Sequence, residues 1–227
     1  MILRQLFDAE SWTYSFLIAD EDTREAVIID SVREQTERDL KLLEEMDLKL
    51  VYAIDTHVHA DHVTALGRLR KATGCKTGYS VHGGVDCADL SLKDGDELSF
   101  GKHTIKVLET PGHTPGCISF LVDDMVFTGD ALLIRGCGRT DFPGGDASAL
   151  YHSIKDKLLT LPENTLVYPG HDYLGRMVST IGEEKAHNPR LALDEEGFVD
   201  LMDNLKLDLP KQLNEALPAN LACGGGI

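Results

Sequence analysis

The stretch Thr56-His57-Val58-His59-Ala60-Asp61-His62 sets three imidazoles and a carboxylate within seven residues of a chain that has nine histidines in all. Leu50 to Ile54, just before it, is an apolar run that reads as a buried strand, and Val63 to Ala72 resumes with helical composition. The cluster therefore occupies a loop between the end of a strand and the start of a helix, where layered α/β folds mount functional groups on a rigid frame. Three more candidates lie downstream: His113 in Pro111-Gly112-His113-Thr114, Asp130 in Thr128-Gly129-Asp130, and His171 in Pro169-Gly170-His171-Asp172. Each follows an apolar run in a glycine-flanked turn, so all seven groups are predicted at or near the C-terminal ends of strands. That placement lets residues distant in sequence meet in one cleft.

Burying several imidazoles and carboxylates without a cation is costly, and exposing them together in an apolar-flanked loop has no structural use. The ligand types and their density therefore predict a metal site. The remaining single histidines, His82, His103, His152 and His187, carry no such signal and read as surface or capping residues.

With 227 residues the chain is long enough to bury a full core, and its composition, 42% hydrophobic and 26% charged, is that of a globular protein. No apolar run approaches the ~20 residues that span a bilayer, and Met1 to Glu10 lacks the basic and apolar regions of a signal peptide. The expected location is cytoplasmic, with no membrane partner. A net charge of −16 makes nucleic acid a poor partner, because phosphate would be repelled. The five cysteines, Cys75, Cys87, Cys117, Cys137 and Cys223, are odd in number and form no Cys-x-x-Cys pair, so they are expected to be reduced thiols.

Short β-rich runs dominate the first half: Tyr14–Ala19 and Ala26–Asp30, split by the turn Asp20-Glu21-Asp22-Thr23. Glu34–Met46 has helical periodicity. The middle repeats the logic with strands at Glu97–Phe100, Thr104–Glu109, Ile118–Val122, Met125–Phe127 and Leu166–Tyr168. Helices are expected over Asp146–Leu159, capped by Asp146, and over Arg176–Ala186 and Asp194–Asn204, with a tail from Pro210 onward. Two strand-rich halves, each followed by helices, amount to an α/β sheet sandwich covered by helices.

The pattern His-x-His-x-Asp-His, followed by Gly-His-Thr, Gly-Asp and Gly-His, resembles the metallo-β-lactamase superfamily. That resemblance implies an αββα sandwich, two mixed β-sheets flanked by helices, with the metal site at one edge. The whole of 1–227 would be a single domain of this kind, with 205–227 a C-terminal tail packed on it. In the superfamily's dinuclear hydrolases His57, His59 and His113 would hold one metal, Asp61, His62 and His171 the second, and Asp130 would bridge them. A narrower likeness runs almost end to end. The segments Thr128 to Phe142, Tyr168 to Tyr173, Asn188 to Leu191 and Pro218 to Gly224 are similar to the persulfide dioxygenases.

That second resemblance implies one Fe(II) per chain, held by His57, His113 and Asp130, while His59, Asp61, His62 and His171 orient ligands or iron-bound water by hydrogen bonds. Two imidazoles and one carboxylate leave positions open on Fe(II), the arrangement of non-heme oxygenases. The implied reaction is glutathione persulfide plus O2 and water giving sulfite and glutathione, and the implied assembly is a homodimer. His171, Asp172, Tyr173 and Arg139 are then the candidates for catalytic roles, Asp172 by bracing the loop that carries His171. Arg139, Tyr173 and Arg190 suit an anionic tripeptide substrate. Against this, Arg139 could simply pair with Asp141, and Arg190 could cap a helix. Cys137 reads as inert, since nothing near it in sequence lowers its pKa.

Two rivals remain open on the ligand inventory. A dinuclear hydrolase of the glyoxalase II type, acting on a glutathione thioester, would use the same seven groups. A non-catalytic metal-binding module would need the site closed, whereas the glycines at Gly136, Gly138, Gly144 and Gly145 point to an open rim. The Arg135-Gly136-Cys137-Gly138-Arg139-Thr140-Asp141-Phe142 run favours the oxygenase.

Overall fold

In the computed structural model, which describes residues 1–225, the strand-rich halves become two six-stranded sheets. The first holds β1 (Ile2–Asp8), β2 (Thr13–Ala19), β3 (Glu25–Ile29), β4 (Lys49–Ile54), β5 (Lys76–Ser80) and β6 (Leu90–Leu92) in sequential order. Its β1, β2 and β3 are antiparallel, and β3 to β6 run parallel. The second is built from β7 (Glu97–Phe100), β8 (His103–Glu109), β9 (Ile118–Val122), β10 (Met125–Gly129), β13 (Leu166–Pro169) and β14 (Ser179–Thr180), in the order β14-β13-β10-β9-β8-β7. Within it only β10 and β13 run parallel. A small ribbon, β11 (Leu132–Leu133) with β12 (Gly136–Cys137), projects beyond β10.

Side chains sort into three apolar layers. Phe16, Ile18, Val27, Ile29 and Ile54 of the first sheet meet Phe100, Val107, Phe120 and Phe127 of the second. The alternate residues Leu17, Ile28 and Ala53 face outward and are covered by α1 (Thr36–Glu45) and α2 (Leu66–Thr73), which supply Leu43, Leu66 and Leu69. On the far side Val126 and Val167 are covered by α3 (Ala147–His152) and α5 (Glu195–Asp203), through Leu150, Phe198 and Met202. Both faces of each sheet are thus covered, which explains why every residue of β2 is buried, the polar Thr13 and Ser15 included. The result is the expected αββα sandwich.

Asp146 caps α3 as expected, its side chain accepting from the Ala149 amide, and Asp194 caps α5 in the same way. The helix expected to run on to Leu159 instead opens after His152 into a wider turn over Ser153–Lys157 and ends in a tight turn at Leu158–Thr160. The helix expected from Arg176 begins only at Ile181, as α4 (Ile181–His187). Ser179 and Thr180 pair with Val167 and Leu166 as an edge strand, and the Thr180 hydroxyl caps the helix behind them. The tail from Pro210 contains a helix, α6 (Leu213–Leu221), despite Pro218 within it. Gly226 and Ile227, the end of that tail, lie outside the described residues.

Two further sequence expectations fail. His103 is not a surface residue; it is buried between Asp20 and Asp123, with Nδ1 2.9 Å from the Asp123 carboxylate. It ties the turn after β2 to the turn after β9, a contact across the sandwich that no local pattern encodes. The cysteines are not all reduced either. Cys87 and Cys223 form a disulfide across 136 residues, while Cys75, Cys117 and Cys137 are free and buried. α6 folds back along the first sheet and brings the pair together, so spacing along the chain could not reveal it.

That return also reaches the histidine loop. Asn220, fully buried, donates from Nδ2 to the carbonyls of His59 (2.8 Å) and His62 (2.9 Å) and accepts at Oδ1 from the Thr64 amide (2.8 Å). One side chain therefore satisfies three backbone groups of an irregular buried loop. Asn220→Ala should strand all three at roughly 1–3 kcal/mol each. We expect a thermal midpoint lowered by several degrees together with weaker metal retention, read by calorimetry and metal analysis. An unchanged midpoint with full metal content would refute this role.

Candidate metal centre

The seven groups do converge, and the strand ends are what bring them together. β4 delivers the loop from Thr56 to His62, β8 delivers His113, β10 delivers Asp130 and β13 delivers His171. Backbone bonds stitch the two sheets together at this edge, Ile118 N to Thr56 O (2.8 Å) and Tyr14 N to Gly170 O (2.8 Å), and within the second sheet Gly170 N bonds to Gly129 O (2.8 Å). Gly129 has φ +49°, and a Cβ there would lie 2.3 Å from the Thr56 hydroxyl. Glycine at this position permits both the left-handed turn and the close approach that set Asp130 beside His57. Gly112 does the same for His113, since a Cβ would meet the Leu150 amide at 2.3 Å.

One ligand atom each from His57, His113 and Asp130 lies within 4.8 Å of the others, and so does a second set from His59, Asp61 and His62. His171 Nε2 sits between the sets, 3.6 Å from Asp130 and 3.7 Å from Asp61. Each of three imidazoles is anchored through Nδ1. His113 donates to the Arg139 carbonyl at 2.6 Å and His171 to the Trp12 carbonyl at 2.9 Å. His57 Nδ1 lies 3.0 Å from the Thr56 hydroxyl, which itself donates to Asp30. With Nδ1 committed as donor, Nε2 of His57 and His113 is left bare toward the centre, while Nε2 of His171 faces the Asp61 and Asp130 carboxylates. His59 is turned the other way, its Nε2 on Asp30 (3.2 Å).

Burial pushes the His57 and His59 pKa values well below the ordinary imidazole range, and neighbouring imidazoles push the same way. Both are therefore neutral and able to bind a cation. For Asp130 burial works against the charged form, but His171, His113 and His57 outweigh it and hold the carboxylate ionised. Asp61 is likewise held well below its usual range by His62 and His171 despite burial. Burial opposes the proton on His171, yet Asp130 and Asp61 raise its pKa to about 9. Three buried atoms in this cluster, His59 Nδ1, His62 Nε2 and Asp130 Oδ1, have no hydrogen-bond partner among the described residues. Buried polar atoms left unpaired around a set of nitrogen and oxygen donors fit a cation.

Behind the ligand loop stand Asp30 and Asp55, both fully buried. Asp30 accepts from the Thr56 amide (2.7 Å) and hydroxyl (2.9 Å), while Asp55 accepts from Tyr79 Oη at 2.5 Å. Burial and then the nearby Asp30 raise Asp55 to about 8. Neither carboxylate was singled out from the sequence, although each closes an apolar run, Val27-Ile28-Ile29-Asp30 and Ala53-Ile54-Asp55, as the ligand turns do. Thr13 was also missed. Its hydroxyl donates to Asp61 at 2.9 Å, and it has no local signal in the sequence.

A cavity of about 820 Å3 opens over the centre, with Asp61, His113, Asp130 and His171 on its lining. Tyr173 lines it too, 63% exposed, its ring stacked on His171 at 5.9 Å. Asp172 accepts from the amides of Leu174 and Arg176 and from the Arg176 guanidinium, bracing this loop. Arg139 binds Asp141 through Nε (2.5 Å) and Nη2 (2.6 Å) and the carbonyls of Asp208 and Leu207 through Nη1 and Nη2. It therefore does pair with Asp141 and also holds the segment that roofs the cavity. Arg190 lines the cavity but caps no helix; it donates to the Cys137 carbonyl at 2.9 Å. Burial raises the Cys137 thiol pKa, consistent with the inert reading.

Residues 13–171 match the family model of the metallo-beta-lactamase superfamily. The mouse protein named persulfide dioxygenase ETHE1, mitochondrial, is 51% identical over 99% of this chain and 89% of its own length. The crystal structure of ETHE1 from Myxococcus xanthus superposes with a TM-score of 0.97 at 56% identity, covering 99% of this chain and all of that one. A hydroxyacylglutathione hydrolase of Rhizobium johnstonii is 41% identical, but over only 55% of this chain and 49% of its own. The chain belongs to the metallo-beta-lactamase superfamily and, within it, to the persulfide dioxygenases.

Proposed function

We propose that the protein is a mononuclear non-heme iron dioxygenase that oxidises glutathione persulfide with O2 and water to sulfite and glutathione. The observation that carries this reading is kinship with persulfide dioxygenases along nearly the whole chain, against kinship with the thioester hydrolase over about half. One Fe(II) would be held by His57, His113 and Asp130. When bound it supplies the one-electron chemistry that O2 requires and a redox-inert Zn(II) lacks.

The second donor set is partly engaged within the protein. Asp61 already accepts from Thr13 and from His62, whose Nδ1 lies at 2.9 Å, and His171 faces two carboxylates. His59, Asp61, His62 and His171 then stand beside the iron and orient the ligand loop, Asp61 by its bonds to Thr13 and His62 and His59 through Asp30. His171 holds a proton at Nε2, beside Asp130. Tyr173 and Arg190 are proposed to bind the tripeptide from the cavity wall. Arg139 is proposed to reach it with the one Nη1 hydrogen left over from its bonds to Asp141 and the roof. Asp172 keeps the Tyr173 loop in place. We further propose a single domain spanning 1–227 with 205–227 as its tail, a homodimer, and a cytoplasmic location. Among the described residues no helix is long and apolar enough to cross a membrane.

Protein loaded with ferrous iron should hold about one iron per chain and consume O2 in proportion to added glutathione persulfide, releasing sulfite and leaving a glutathione thioester intact. Two metals per chain with thioester hydrolysis and no O2 uptake would contradict the proposal. Asp130→Ala should fold, hold no iron and lose O2 uptake to background; full activity in that variant would refute the ligand assignment.

A further inference from the structure

The rim of the metal cavity is more apolar than an anionic tripeptide requires. Trp12, the only tryptophan in the chain, sits in the turn between β1 and β2 with φ +60°. Its carbonyl holds His171, so the turn cannot drift without disturbing the metal centre. Its indole is 45% exposed, packs edge-on against Phe7 and lies 6.2 Å from the Tyr173 ring. Leu174, 78% exposed, continues the same wall, and the roof adds Leu207 and Leu209. Exposed apolar side chains gathered at a cavity mouth mark a surface for an apolar ligand group.

Charge on the lining shows the complementary pattern. Arg139 is engaged by Asp141 and Arg176 by Asp172. Arg190 and Lys211 are the lining cations with no carboxylate partner among the described residues. These two match the two carboxylates of glutathione and leave the Trp12 indole and Leu174 without a counterpart in that substrate.

We propose that Trp12 is a specificity-determining residue, and that the wall it forms with Tyr173 and Leu174 admits aryl and alkyl hydropersulfides as further substrates. The inference rests on the persulfide dioxygenase reading and widens its substrate class. The reaction is R–S–SH + O2 + H2O giving R–SH and sulfurous acid, which ionises to sulfite. The S–S bond breaks, the inner sulfur leaves as the thiol, and the sulfur atoms together yield four electrons to O2. The organic group R takes no part in the chemistry, so its fit against the wall decides acceptance.

Benzyl hydropersulfide and glutathione persulfide are compared by O2 uptake in the wild type and in Trp12→Gly. Glycine suits the left-handed φ and keeps the carbonyl that holds His171. The wild type should oxidise both. In the variant, kcat/KM for the benzyl compound should fall about tenfold further than that for glutathione persulfide, through KM, as expected for one lost aromatic contact. Equal losses for both substrates, or oxidation of glutathione persulfide alone by the wild type, would overturn the inference. A second readout does not depend on turnover: benzyl mercaptan, titrated without O2, should saturably quench the fluorescence of the lone tryptophan. If neither persulfide is oxidised, the enzymatic reading fails, and the titration still judges the wall, with absence of quenching counting against it.

Discussion

Everything in this protein depends on keeping a set of imidazoles and carboxylates out of water at the edge of a β-sandwich. His57, His59, His62, His113 and His171 are all buried, and packing them without a cation leaves His59 Nδ1, His62 Nε2 and Asp130 Oδ1 unsatisfied. Such groups are costly unless something pairs them. A cation held by His57, His113 and Asp130 would pair the bare Asp130 oxygen, and binding it requires an unprotonated ring nitrogen facing the centre. The Nδ1 atoms of His113 and His171 are committed to fixed backbone carbonyls, those of Arg139 and Trp12, which turns the Nε2 of His113 to the metal position and that of His171 to the two carboxylates. A carbonyl cannot swing away as a side chain can, so the ring orientations are inherited from the sheet edges.

The same constraint explains features far from the centre. The loop that bears four of the seven groups has no regular secondary structure, and its carbonyls need partners inside the protein. Asn220 provides them from a helix more than 150 residues away in sequence. The Cys87–Cys223 disulfide and the bond from Gly67 N to Cys223 O (3.0 Å) anchor the end of that helix. The carboxy-terminal segment is thus built into the metal centre from behind. Segment 207–208, held by Arg139, approaches the same centre from the cavity side.

How much of this was legible depends on the range over which each feature is encoded. The strand-to-turn junctions at Glu109, Gly129 and Pro169 were visible because an apolar run followed by a glycine turn and a ligand is a local pattern, and the one at Ile54 because its apolar run leads into the dense histidine cluster. The helices capped by Asp146 and Asp194 were visible for the same reason. What could not be read were groups whose meaning lies in a partner elsewhere: Asn220, Thr13, the His103 contacts across the sandwich, and the cysteine pair 136 residues apart. Trp12 belongs with them. Only the fold shows its carbonyl on His171 and its side chain at the cavity mouth. The ligand inventory alone suggested two metals, and the fold assembles both donor sets.

The central claim is that only one of the two donor sets holds metal. Diffraction from crystals of the iron-loaded protein at the iron absorption edge tests it most directly. The account predicts one strong anomalous peak per chain, in contact with His57, His113 and Asp130, and none among Asp61, His62 and His171. A second peak of comparable height at that latter set would contradict it and restore the dinuclear architecture.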